Sequence, residues 1–166
     1  MKNLIVSFLI VMSIIACNKS EPEPKDVKIG DLYEGGIVCD IQSDYILIAA
    51  TADYPSNVTW NNGSFPLTNA TDRGYGYNNT NTIIAVQGNT GIYAAKVCKD
   101  MGDGWYLPAS NEMYWVKQAL EIFGVYWTST EWTDTKAHCS PQLNSDHPAT
   151  TKSSLNRVRA VKRIPL

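Results

Sequence analysis

Residues 124–132 read GVYWTSTEW, and the placement of that segment decides the fold. It holds the rings of Tyr126, Trp127 and Trp132, the hydroxyls of Tyr126, Thr128, Ser129 and Thr130, and the carboxylate of Glu131. Along an extended strand side chains alternate, so Tyr126, Thr128 and Thr130 face one way and Val125, Trp127 and Ser129 the other. Ser129, Thr130 and Glu131, at the end of the strand, read as the rim of a pocket with Trp132 beside them. Further strands follow around Ala137 and in NRVRAVKRI (156–164).

Upstream, GWYLPASNEMYWVKQALEIFG (104–124) predicts the main helix. Pro108 biases Leu107 to an extended conformation, so the helix begins only afterwards. Met113, Val116, Leu120 and Phe123 recur on one face, Trp115, Ala119 and Ile122 widen it, and Gly124 suits the C-terminal cap. The pattern predicts a helix with much of its girth buried. Glu112 lies in the first turn, where the helix dipole favours a carboxylate.

Nearer the N-terminus, GGIVCDI (35–41) and DYILIAA (44–50) are short apolar runs that read as a hairpin. The stretch 53–81 is dense in Asn, Thr, Gly and Pro and reads as an ordered loop region anchored by Trp60 and Phe65. A short helix in 79–89 stops at Gly88, and another runs from Ala94 to Met101, with Cys98 on its apolar face. The expected fold is α+β: a single compact domain of short antiparallel strands and one main buried helix.

Lys2 and the apolar run from Leu4 to Ile15 have the layout of a secretory signal peptide and are too short to cross a bilayer as a helix. Ile14-Ile15-Ala16-Cys17 resembles the lipobox of bacterial lipoproteins, with an incidental cysteine after an ordinary signal peptide as the other reading. The expected organisation is signal peptide 1–16, a lipidated flexible tether 17–29 rich in Pro and charge, and a domain over 30–166. Lipid on Cys17 implies attachment at a bacterial outer membrane or cell surface. Without residues 1–16, 13 basic side chains stand against 16 acidic ones, a charge of −3 that argues against general nucleic-acid binding. After Asp146 there is no acid, while Lys152, Arg157, Arg159, Lys162 and Arg163 follow. That asymmetry either pairs the two ends of the chain or leaves a basic face.

Cys39, Cys98 and Cys139 form no C-x-x-C pair, and His138 and His147 lack zinc-finger spacing. No G-x-S-x-G, H-E-x-x-H, phosphate loop or EF-hand loop occurs, so no cofactor, metal or catalytic set is assigned. Glu112 and Glu131 read either as a catalytic pair or, the preferred reading, as partners of Arg157 or Arg159. Glu112 and Arg159 are expected to link the long helix to the last strand.

GDLYEGGIV (30–38), LIAA (47–50), GYGYNNTNTIIAVQG (74–88), YAAKVC (93–98), GWYLPASNE (104–112), YWTSTE (126–131) and RVRAVK (157–162) come in one order. In that order they resemble a family of bacterial lipoprotein domains, many of unknown function, typified by the C-terminal domain of the Legionella collagen-like adhesin. The layout is also similar to C-type-lectin-like and formylglycine-generating-enzyme-like domains. Trp105, Pro108 and Trp127 then belong to the scaffold. Ala109 departs from the Ser or Thr usual there; losing a side-chain cap costs about 1 kcal/mol unless Ser110 takes over. His138 and the segment 138–156 depart further.

The resemblance, the anchor and the lack of a catalytic motif imply a non-catalytic, adhesin-like binding module for a glycan, an anionic polymer or a protein. A structural envelope or fibre-tip subunit and a cryptic hydrolase are the alternatives. Candidate ligand contacts are Tyr75, Tyr77, Ser129, Thr130, Glu131, Trp132 and Arg157. Arg157, Arg163 and Lys152 are the candidate basic face, and Tyr75, Tyr77 and Trp132 the candidate stacking rings.

Overall fold

The computed structural model describes residues 26–140 and 148–166. Residues 1–25, which hold the expected signal peptide, Cys17 and most of the expected tether, and His147 lie outside them. The described chain is an α+β domain of two antiparallel sheets and three helices. Strands β1 (Leu32–Tyr33), β2 (Gly36–Ile41), β3 (Tyr45–Ala50) and β7 (Val161–Pro165) form one sheet in the order β1-β2-β3-β7. Strands β4 (Tyr126–Glu131), β5 (Lys136–Ser140) and β6 (Ala149–Thr151) form the other. The helices are α1 (Gly76–Gln87), α2 (Ala94–Lys99) and α3 (Ser110–Leu120). No helix among the described residues is long and apolar enough to cross a membrane.

Both faces of the first sheet are covered, which is why YILIAA is a continuous apolar run rather than an alternating one. On one face Leu47, Ala49 and Val161 pack with Met113 and Val116 of α3. On the other, Val38, Ile46 and Ile48 pack with Val27 and Tyr33, and half-buried Trp105 leans on this cluster. A third cluster around Trp60, Ile83, Tyr93, Leu107 and Trp127 joins α1 and α2 to the second sheet. Helix α1 begins at Gly76, earlier than the apolar pattern indicates, because its start crosses the 107–109 backbone. A Cβ at Gly76 would collide with the Leu107 carbonyl and the Ala109 amide.

Helix α3 corrects three expectations. Ser110 does not supply the missing cap: its Oγ is buried without a partner. Instead the free amides of the first turn are met from outside, Ser110 N–H by Thr130 Oγ1 at 3.1 Å and Asn111 N–H by the Arg73 carbonyl at 2.9 Å. The helix ends on Glu121 in the left-handed region (φ 49°), not on Gly124, which lies in the following turn. Trp115 and Phe123 are 43% and 66% exposed, so the buried stripe is narrower than the sequence pattern implies. In the loop region Trp60 is fully buried, as an anchor should be, but Phe65 is 40% exposed. Of NRVRAVKRI only Val161 onwards is strand; Asn156 and Arg157 make isolated bridges to Val58 and Tyr126.

Candidate functional site

All six residues of β4 are buried, so both of its faces are interior. One edge pairs with β5. On the other, the amides of Trp127, Ser129 and Glu131 donate to the carbonyls of Arg157 (3.0 Å), Pro108 (2.8 Å) and Ala70 (2.7 Å), three separate loops. Each side chain then holds another segment. Tyr126 Oη donates to Asp53 Oδ2 (2.8 Å) and Trp127 Nε1 to the Val58 carbonyl (2.8 Å). Thr128 Oγ1 donates to the His138 carbonyl (2.9 Å), and Ser129 Oγ accepts from Asn79 Nδ2 (3.2 Å). Thr130 Oγ1 donates to the Asp72 carbonyl (2.9 Å). Ser129, Thr130 and Glu131 are therefore not a pocket rim; they are 0%, 1% and 3% exposed and stitch loops to the strand. The sequence signal was the absence of any Lys or Arg on either face of YWTST, the mark of a strand with no solvent side.

The two glutamates suggested as a catalytic pair are each enclosed by a separate set of donors. Glu131 accepts from the Thr68 and Asn69 amides (2.9 and 2.7 Å) and pairs with Lys152 Nζ at 2.5 Å. Lys152 is fully buried, with its ammonium 4.6 Å from the Trp60 ring centroid. Glu112 pairs not with Arg159 but with Arg163, whose Nη2 is 2.8 Å away. It also accepts from the Gly76 and Ala109 amides (2.9 Å each) and from Tyr106 Oη (2.8 Å). Burial pushes the Glu112 carboxyl above its ordinary pKa, against the pull of the Ala109 amide and Arg163. Burial likewise lifts the Tyr106 hydroxyl far up, with Glu112 adding to the shift. Arg159 Nε instead meets Asp53 Oδ1 at 2.6 Å. The link between α3 and the last strand exists, with Arg163 in place of Arg159.

The supposed basic face is also dispersed. Lys152 is interior and Arg163 is neutralised by Glu112; Arg157, its side chain 52% exposed, stands 3.9 Å from Asp53. Arg157 lies at the start of β4 and Trp132 just past its end, roughly 17–20 Å apart along the strand. A shallow cleft of about 280 Å³, lined by residues including Gly35, Ala50, Tyr54, Pro55 and Met101, contains one carboxylate, that of Asp53. Arg159 and Tyr126 already occupy it.

What the fold does assemble at the surface is a band of rings and cations. Trp132, 57% exposed, meets the His138 ring edge-to-face at 5.0 Å, and His138 Nε2 lies 3.3 Å from Arg73 Nη2. The backbone then runs from exposed Arg73 to Tyr75, held by Asp72 Oδ1, which accepts from the Gly74 (2.7 Å) and Tyr75 (3.1 Å) amides. Tyr75 stacks with Tyr77 at 5.9 Å, and Arg163 lies 4.2 Å from the Tyr75 ring and 4.0 Å from that of Tyr45. Lys99 ends the band, 5.0 Å from the Tyr77 centroid. Contacts with neighbouring side chains thus already engage the half-buried Tyr75 and Tyr77. Trp132 is the freest ring of the three. The sequence reading missed Arg73, Lys99 and Tyr45 because they come together only through the tertiary fold.

No protein-family model, curated protein or solved structure matches the chain.

Proposed function

We propose that this chain is a lipid-anchored extracytoplasmic binding module that holds a glycan or anionic polymer without changing it, and that the band from Trp132 to Lys99 is its contact surface. One observation carries the reading. Among the described residues Arg73 and Lys99 form no ion pair, while the buried carboxylates of Glu112 and Glu131 are enclosed by donors. Charge is therefore on offer at the band, whereas the Glu112 and Glu131 carboxylates are already taken. The lipobox-like Cys17 and the sequence resemblance to a lipoprotein domain family support display outside the cytoplasm.

Glycan and glycosaminoglycan arrays probed with residues 26–166 at two salt concentrations test the reading, with product analysis of every hit. Exposed cations are screened within about 8 Å at physiological ionic strength, so binding should weaken as salt rises. Arg73→Gln and Lys99→Gln should weaken binding further, whereas Arg157→Gln, off the band, should not. Cleaved product would move the chain to the hydrolases, and silence across the arrays would defeat the reading.

A further inference from the structure

We propose that the outer face of α3 is a two-fold interface that pairs two copies of this chain with their α3 helices antiparallel. The inference does not rest on the ligand reading. Helix α3 turns Glu112, Met113, Val116 and Lys117 inward, leaving Asn111, Tyr114, Trp115 and Gln118 outward. Tyr114 and Trp115 are 49% and 43% exposed and lock each other edge-to-face at 5.0 Å, so the two rings are ordered before anything meets them.

The outward strip is neutral and symmetric about the midpoint between Tyr114 and Trp115: amide, ring, ring, amide. An antiparallel second copy sharing that midpoint sets its Gln118 against Asn111 and its Trp115 against Tyr114, and the reciprocal contacts follow from the two-fold axis. The ends of the strip differ in sign. The helix dipole makes the N-terminal end positive, and exposed Glu121 closes the C-terminal end. Antiparallel pairing brings Glu121 of each copy to the N-terminal end of the other's α3 and opposes the two helix dipoles favourably. Parallel pairing would set like charges together.

Phe123 and Val125, 66% and 42% exposed, extend the apolar surface past the helix end. Aromatic rings at the centre with amides and charges at the rim is the usual anatomy of a protein interface. A stable interface buries about 800 Å² per partner, more than one face of a short helix supplies. The contact therefore takes in the Phe123–Val125 turn as well.

Among the described residues the three core clusters lie within residues 27–164, so residues 26–166 carry all three. Sedimentation equilibrium on residues 26–166 should show a monomer–dimer equilibrium. Trp115→Glu should weaken it at least tenfold while leaving the circular dichroism unchanged, and the melting temperature too at concentrations where both proteins are monomeric. For the register, oxidising a mixture of Asn111→Cys and Gln118→Cys proteins should give the mixed disulfide faster than either protein links to itself. The buried native thiols stay silent in that experiment. A monomer at the highest concentrations, a dimer indifferent to Trp115→Glu, or preferential self-linking of Asn111→Cys would each overturn the interface.

Discussion

Glu112 shows how much one buried carboxylate organises. It binds the start of α1 through Gly76, the entry to α3 through Ala109, and β7 through Arg163. Burial opposes its charge, so the pair with Arg163 is nearer to break-even than its contacts suggest; removing one partner is still costly because the others keep their orientation. Glu112→Gln leaves several donors without a charged acceptor and should destabilise by about 1–3 kcal/mol. The choice of partner is testable by double-mutant cycles in urea. Glu112 and Arg163 should couple by about 0.5–3 kcal/mol, while Glu112 and Arg159 should be additive to within about 0.5 kcal/mol. Coupling to Arg159 would contradict the placement of Arg163. The thiols make a second prediction at this scale. Burial pushes Cys39 up to about 12 and raises Cys98 and Cys139 as well. At pH 8 the Cys39 thiolate is then only about one part in ten thousand. Residues 26–166 should give no rapid thiol reaction when folded and three thiols in denaturant; a fast-reacting native thiol would contradict the burial.

At the scale of elements, β4 and α3 depend on each other through Thr130. Its hydroxyl accepts the Ser110 amide and donates to the Asp72 carbonyl, so it caps a helix from the neighbouring strand. Thr130→Val keeps the shape and strands both groups, which should cost about 1–3 kcal/mol. Ser110→Ala removes a hydroxyl that bonds nothing and should cost far less, although Ser110 is the residue at the helix start. Equal losses in chemical denaturation would show that the cap lies in Ser110 after all. That contrast also explains what could be read in advance. The β2–β3 hairpin and the three helices follow from local periodicity and turn residues, and the interior place of Trp127 from the sequence resemblance. The cap did not, because its donor and acceptor lie 20 residues apart. Arg163 escaped notice as the partner of Glu112 for a similar reason. The sheet begins only at Val161, so Arg159 falls beside Asp53 whereas Arg163 sits opposite Leu47 on the face covered by α3. The band was half legible: Tyr75, Tyr77 and Trp132 were chosen for their rings, but Tyr45, Lys99 and Arg163 arrive from other parts of the chain.

Across the whole molecule, the sheet margins discourage strand-to-strand association. β1 has two residues, β6 has three, and β7 runs into Pro165, which lacks an N–H donor. The contacts proposed above accordingly use side chains, on the band and on α3. A module that works through such surfaces gains most from being held where its ligand is, which gives the Cys17 proposal its physical weight. A single acyl chain binds a bilayer only marginally, so stable anchoring needs more than one chain on that residue. Cys17→Ser should release the protein from the membrane fraction and abolish fatty-acid labelling, while the folded unit, whose cores start at Val27, keeps its melting temperature. If the variant remained with the membrane through a carbonate wash, another attachment would be at work and the anchor would have to be placed elsewhere. If it left the membrane but also lost its fold, Cys17 would be part of the structure rather than of the tether.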